Sequence, residues 1–327
     1  MALTTVGSSA GAVEGSVARA LRGDRSDVRG RAFEVALLVA LLVSLLILAA
    51  LIFTVLTDGL PVYSDRGWEF LDGALSSSAR RAGISQGIVG SFWIALSVVV
   101  LAVPLGIGAA VYLEEYAPRN RFTRFVELNV RNLAGVPSVV YGLLGLAIFV
   151  EAMNGFSSNQ GVERRTLAAA GVTLAVLVLP IVIITTSEAI RAVPSALREG
   201  AYGVGATRWE VIRTQVLPYA APGILTGTLL SIARAVGEAA PLIVVGSVTG
   251  FFSLGAGLNV PNLVDPGHLS ERFVALPTII TNWAKLPEED FKVANASATI
   301  IAMLVFVLLV NSIAIVLRNR FEKKRTS

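Results

Sequence analysis

The sequence has no cysteine and a single histidine, His268, in 327 residues. Without cysteine there is no disulfide framework and no thiolate metal ligand. One imidazole leaves little for a histidine-based metal or catalytic site, and no metal site is expected. No G-x-x-x-x-G-K-[ST] stretch occurs, so the chain has no P-loop with which to hold ATP. Charge is scarce as well: 15% of residues are Asp, Glu, Lys or Arg, and the net charge is only +4. No Ser/His/Asp arrangement stands out either. The absences argue against an enzyme and for a passive subunit driven from elsewhere, and no nucleic-acid partner is expected.

Apolar residues are what the chain has in abundance, 54% of the total with a mean hydropathy of +0.71. Uncharged runs of about 20 residues match a bilayer core. Six spans are expected: Phe33–Leu56, Gly90–Leu113, Leu133–Val150, Thr166–Ile190, Ile224–Gly246 and Ala298–Leu317. Residues 1–32, rich in Gly, Ser, Ala and Arg without apolar period, read as a flexible tail, and 318–327 as a basic tail. The first apolar run is too long for a signal peptide, so it is expected to be kept. Of the 27 Lys and Arg residues, 18 lie before the first span, after the last, or in the second and fourth connections. That bias puts both termini and the stretch 192–222 in the cytoplasm.

The first span offers nothing polar and is expected on the outside of the bundle. Trp68 and Phe70, in the outer connection Thr57–Gln86, suit interface anchors. The second span ends Tyr-Leu-Glu-Glu-Tyr-Ala-Pro at Pro118. Glu114 and Glu115 there read as a gate or proton site or, preferably, as a solvated helix end balanced by Arg119, Arg121 and Arg124. In the third span Pro137 frees a backbone carbonyl, while Gly135, Gly142 and Gly145 permit close helix contact. Asn132, Ser138 and Tyr141 could line a polar path. In the fourth, Thr and Ser hydroxyls after Pro180 are expected to bond back to freed carbonyls. In the long outer connection 247–297, Val274–Leu286 suits a short interfacial helix that receives a soluble partner, and His268 a solvated loop.

The fifth span carries a buried charge. Arg234 is ten residues in from Ile224, about 15 Å along a helix and so near mid-bilayer. An Arg there faces a partner or a cavity. Glu238 follows at i+4, and Ser231 and Gly227 lie on the same side. The guanidinium fork fits a tetrahedral oxyanion and keeps its charge at any working pH. The alternative is a structural Arg–Glu pair that locks helices together.

Between the fourth and fifth spans runs Ala192–Pro222. Pro194 and Ser195 open a brief helix, Gly200, Gly203 and Gly205 let the chain turn, and Thr207 to Glu210 has capping-box spacing. The second helix puts Trp209, Ile212 and Val216 on one face before Pro218 stops it. Two such short helices need a partner surface, either another protein or the membrane surface.

Glu199, Ala201, Gly205 and Leu217-Pro218 resemble the EAA loop of ABC-importer permeases, with Gly200 where that motif usually has Ala. The strings Y-L-E-E-Y-A, N-L-A-G-V-P-S-V-V-Y-G-L-L-G and A-R-A-V-G-E-A-A-P-L-I resemble the PstA-type permeases of phosphate importers. The resemblance implies an all-α integral membrane protein with the type I importer permease (MetI-like) fold, six transmembrane helices and a cytoplasmic coupling loop. It implies residence in a bacterial inner membrane beside a PstC-like permease, a PstB-like ATPase dimer that binds ATP and Mg, and a PstS-like phosphate-binding protein. Glu199, Gly200, Ala201, Gly205, Trp209, Leu217 and Pro218 would couple to the ATPase. Arg234, Glu238, Ser231, Ser138 and Asn132 would line the path of inorganic phosphate. Another oxyanion, sulfate or molybdate, or a membrane scaffold remain the alternatives.

Overall fold

The computed structural model describes residues 28–153, 165–247 and 257–326. Nearly all of these are helical, as a chain crossing lipid must be to satisfy its own backbone. The chain divides into two compact units, residues 1–54 and 55–327. The described part of the first is the apolar length of helix α1 (Val28–Arg66), with residues 30–54 exposed all round. The tail expected over 1–32 lies outside the described residues up to position 27, and from Val28 the chain is already helical.

In the second unit, α2 (Ser85–Val111) runs on through a π turn, Tyr112–Tyr116, and stops before Pro118, with Ala117 extended as a residue preceding proline must be. Helix α3 (Arg121–Ala134) is capped by the Asn120 side chain, which accepts from the Thr123 N–H at 2.8 Å. Then α4 (Ser138–Leu144) continues as a π turn to Val150. Helix α5 (Leu167–Arg191) starts at the Thr166 cap and forms the core, packed along α2 and α8 (Leu217–Gly237). Two short helices, α6 (Ser195–Gly203) and α7 (Arg208–Val211), precede α8, and α9 (Ala240–Val245) follows it. Helix α10 (Leu276–Trp283) and the long α11 (Ala296–Thr326) complete the bundle.

Five of these helices, with their π turns, are long and apolar enough to cross a membrane, and the bent pair α3–α4 makes a sixth if counted as one span. Two of the expected spans are therefore not single rods. The third turns by 104° at Gly135–Pro137, so that Leu133 and Ala134 belong to α3 and only Ser138–Val150 to the following helix. The break has a local cause. Pro137 cannot donate to the Leu133 carbonyl, and the buried Tyr141 hydroxyl donates to it instead at 2.8 Å. The fifth span also breaks, because α8 ends at Gly237 and Glu238 is extended.

Other expectations fail at prolines and loops. Pro218 does not stop the second cytoplasmic helix. A π turn, Ile212–Val216, absorbs its missing donor, and the chain stays helical from Arg208 to Gly237. After Pro180, the Thr185 hydroxyl bonds to Ile181 rather than to the carbonyl that the proline releases. Phe70 is no interface anchor: it is fully buried, edge-on to Tyr63 and beside Trp283, while Trp68 is exposed. The helix expected within Val274–Leu286 exists as α10, but Leu276 and Ile279 face the core. His268 is likewise buried, bonded to Asn262 at 2.8 Å and facing Glu271 at 3.2 Å. The basic segment 318–327 is a continuation of α11 up to Thr326.

Candidate functional site

Small residues bring the two broken spans together. A Cβ on Gly142 of α4 would lie 2.8 Å from the Pro241 Cα at the start of α9, so the two backbones touch there. Gly145 sits in the same way on Thr173 of α5, and Gly227 of α8 on Thr185. Close packing is thus what these glycines provide.

Arg234 occupies the last turn of α8, where a cation also complements the helix dipole. Its Nε lies 3.5 Å from a Glu238 carboxylate oxygen, and half of its side chain remains exposed. Glu238 is the residue that ends α8 rather than a member of it, so the pair bridges the break instead of stiffening a helical turn. Among the described residues Arg234 has no other ion pair, which leaves most of its donors free for an incoming anion.

The remaining expected path residues do not join this pair. The Ser231 hydroxyl is buried and donates to the Gly227 carbonyl of its own helix at 2.9 Å. Asn132 is exposed in the last turn of α3, and Ser138 opens α4 on the other side of the first break. Among the described residues no hydrogen bond or ion pair links Asn132 or Ser138 to Arg234 or Glu238.

The second cluster of charge lies where α2 ends. Glu115 is buried and pairs with Arg198 of α6 at 3.0 Å. The same guanidinium donates to the Val193 carbonyl at 2.8 Å and the Ile190 carbonyl at 3.0 Å, closing the C-terminus of α5. Arg208 of α7 donates to the Glu115 backbone carbonyl and stacks over the Tyr116 ring at 4.9 Å. Arg191 holds Glu114 at 2.7 Å, with Glu127 and Glu188 within 4 Å. The two short helices are thereby tied to the ends of α2 and α5 through fully engaged arginines.

This correction alters the reading of Glu114 and Glu115. They are not a merely solvated helix end balanced by Arg119, Arg121 and Arg124. Their partners come from the fourth connection. Spacing alone gives no register for such a pairing, although four arginines in one short connection opposite a Glu-Glu helix end are the available signal.

The geometry of α6 and α7 follows from local chemistry. Pro194 precedes the first turn, so Ser195 is the first helical residue and not the cap. Gly205 takes φ +85°, a left-handed turn that only glycine adopts cheaply. Thr207 and Glu210 form the capping box: the Thr207 N–H donates to the Glu210 carboxylate at 2.7 Å. The helix from Arg208 to Gly237 is about 45 Å long, so its first turns stand clear of a bilayer core about 30 Å thick. There, hydrogen bonds from the Thr207 backbone and hydroxyl hold the Glu210 carboxyl below its usual range.

Val211, Ile212 and Val216 are buried against α2, α5 and α8, whereas Trp209 is exposed and does not share their face. Tyr202 and Val204 of the same connection are exposed as well, and so is Glu199, which is unpaired among the described residues. Gly200, Gly205 and Pro218 are exposed too, and Ala201 and Leu217 half-buried. The geometry suits a docking face held rigidly from behind.

Solved structures of similar shape include chains of bacterial ABC transporters. A chain of a bacterial ABC transporter for the acidic polysaccharide alginate aligns with TM-score 0.57 over 92% of this chain and 99% of its own, at 16% identity. A chain of the MetNI methionine ABC transporter aligns with TM-score 0.51 over 73% and 94%, at 17% identity. The architecture is that of a type I ABC-importer permease, a multi-pass protein of the membrane. Residues 102–327 match the model of the binding-protein-dependent transport system inner membrane component, and the chain belongs to that family.

Among curated relatives, the phosphate transport system permease protein PstA of Haemophilus influenzae is 30% identical over 80% of this chain and 84% of its own. The PstA protein of Pasteurella multocida is 32% identical over 82% and 86%. The probable ABC transporter permease YqgI of Bacillus subtilis is 32% identical over 62% of this chain, which spans 65% of YqgI.

Proposed function

We propose that the chain is a membrane-spanning subunit of an ATP-driven importer of inorganic phosphate. The observation that carries the reading is Arg234, a permanent cation with free donors beside the break that ends α8. Relatives named as phosphate permeases, matched over more than four fifths of their length, give the anion its identity. The partners follow from the same reading: a second permease subunit, a pair of ATPase subunits that bind ATP and Mg, and a soluble phosphate-binding protein. Both termini and α6–α7 face the cytoplasm. The exposed Trp209, Tyr202 and Val204 receive the ATPase, and the arginine ties carry its motion to α2 and α5. Glu238 steadies Arg234 and moderates its hold, so that a bound anion can leave again. One arginine does not balance a mostly dianionic phosphate, so the second permease subunit supplies further positive charge.

Competition decides the substrate. Vesicles containing the full assembly are expected to take up phosphate, with uptake unaffected by excess sulfate or molybdate. Uptake of sulfate in preference to phosphate would overturn the reading.

A further inference from the structure

The three arginines that do not pair with Glu114 and Glu115 line a different feature. Beside the N-terminus of α3 lies a polar cleft of about 830 Å³ whose wall includes Arg119, Arg121 and Arg124. None of the three side chains has a hydrogen bond or ion pair among the described residues. Adjoining it is an apolar groove of about 330 Å³, between Tyr112 on α2, Val126 and Val130 on α3, and Ile183 on α5. The two cavities share Leu113, Asn120 and Thr123 and so lie side by side.

Helix α3 is itself amphipathic. Phe122 and Phe125 project from it, 72% and 63% exposed, while Arg124 and Arg131 lie on the far side. It is bent by 104° from the helix that follows. If that helix crosses the bilayer, α3 lies in the membrane plane, at the same end as the arginine ties. Such a helix, basic on one face and aromatic on the other, suits the headgroup boundary.

We infer that this pair of cavities binds an anionic phospholipid, its phosphodiester held by Arg119, Arg121 and Arg124 and one acyl chain laid in the groove against Val126, Val130 and Ile183. Charge complementarity and the apolar continuation argue together for a lipid. A free phosphate ion would leave the groove unused. The lipid braces α3 against α2 beside the cluster that holds α6 and α7.

The inference rests only on membrane placement, and its test reads lipid retention, so it stands or fails independently of the phosphate reading. The purified full chain in neutral detergent, titrated with phosphatidylglycerol and then phosphatidylcholine, is followed by native mass spectrometry. Retention of one phosphatidylglycerol is expected, with phosphatidylcholine and inorganic phosphate unable to displace it. The combined variant Arg119→Gln, Arg121→Gln, Arg124→Gln is expected to weaken retention about tenfold or more while eluting as wild type on size exclusion. Unchanged retention by that variant, or displacement by inorganic phosphate, overturns the inference. A photo-crosslinking residue placed at Phe122 in the full assembly gives a second reading. Lipid adducts support the proposal, and adducts to the second permease subunit refute it.

Discussion

The two charge clusters of this protein are built on opposite plans. Around Glu115, each guanidinium is engaged: Arg198 spans a carboxylate and two helix-end carbonyls, and Arg208 a backbone oxygen and an aromatic face. Around Arg234, one loose contact at 3.5 Å is the one ion pair among the described residues. Saturated arginines fix geometry, because each lost partner would strand a charge. An unsaturated one keeps its donors for a ligand that comes and goes. Under the proposed function, the first cluster would transmit force and the second would contact the anion.

The sharpest way to break the comparison is at the unsaturated end. Replacing Arg234 with Gln is expected to abolish phosphate uptake by the assembled transporter, and Lys to restore only part of it, since Lys keeps the charge but not the planar fork. Uptake of labelled phosphate by proteoliposomes checks this. Next in size is Glu115→Gln, which removes the counter-charge of the half-buried Arg198, leaving it two helix-end carbonyls, and costs roughly 3 kcal/mol, the low end for a buried pair. A lower thermal midpoint in detergent and less phosphate moved per ATP are expected, and a variant that stays fully coupled would show the tie to be passive.

The junction between the broken helices can be probed without touching charge. Gly142→Ala pushes a methyl into the Pro241 backbone and is expected to destabilise by about 1–3 kcal/mol, read as a lower unfolding midpoint. The smallest effect belongs to the capping box. Because the folded Glu210 carboxyl titrates below its usual 4.5, its contribution is full above that pH and disappears as pH falls through the folded value. The difference in midpoint between wild type and Glu210→Gln is therefore expected to be present at neutral pH and to shrink on acidification.

Much of this was legible in the sequence, and the failures have physical causes. Thr166 and Pro118 marked helix boundaries correctly because caps and prolines act on their own few residues. The capping box at Thr207 was readable for the same reason, and so was the turn at Gly205. Hydropathy located six apolar runs, but it averages over the very features that interrupt them: it does not register Pro137 with Tyr141 closing the gap, or Glu238 ending a helix. Pro218 misled because a π turn can absorb a proline, which depends on packing around Ile212 and Val216 rather than on sequence spacing. Pairings across the chain, such as Glu115 with Arg198, require the tertiary fold to be in place. Arg234 stood out at once, since a charge within an apolar run is costly wherever it sits. For Ser138 and Asn132 the sequence offers polarity alone, and a hydroxyl such as Ser231, though on the Arg234 side, can satisfy itself within its own helix.

The division of labour is tested most directly by recording phosphate import and ATP hydrolysis in the same proteoliposomes for Arg234→Gln and Glu115→Gln. Arg234→Gln is expected to lose import while the assembly still forms and hydrolyses ATP, and Glu115→Gln to keep some import at a raised ATP cost per phosphate. Normal import by Arg234→Gln, or a parallel loss of import and hydrolysis in both variants, would contradict separate roles for the two clusters.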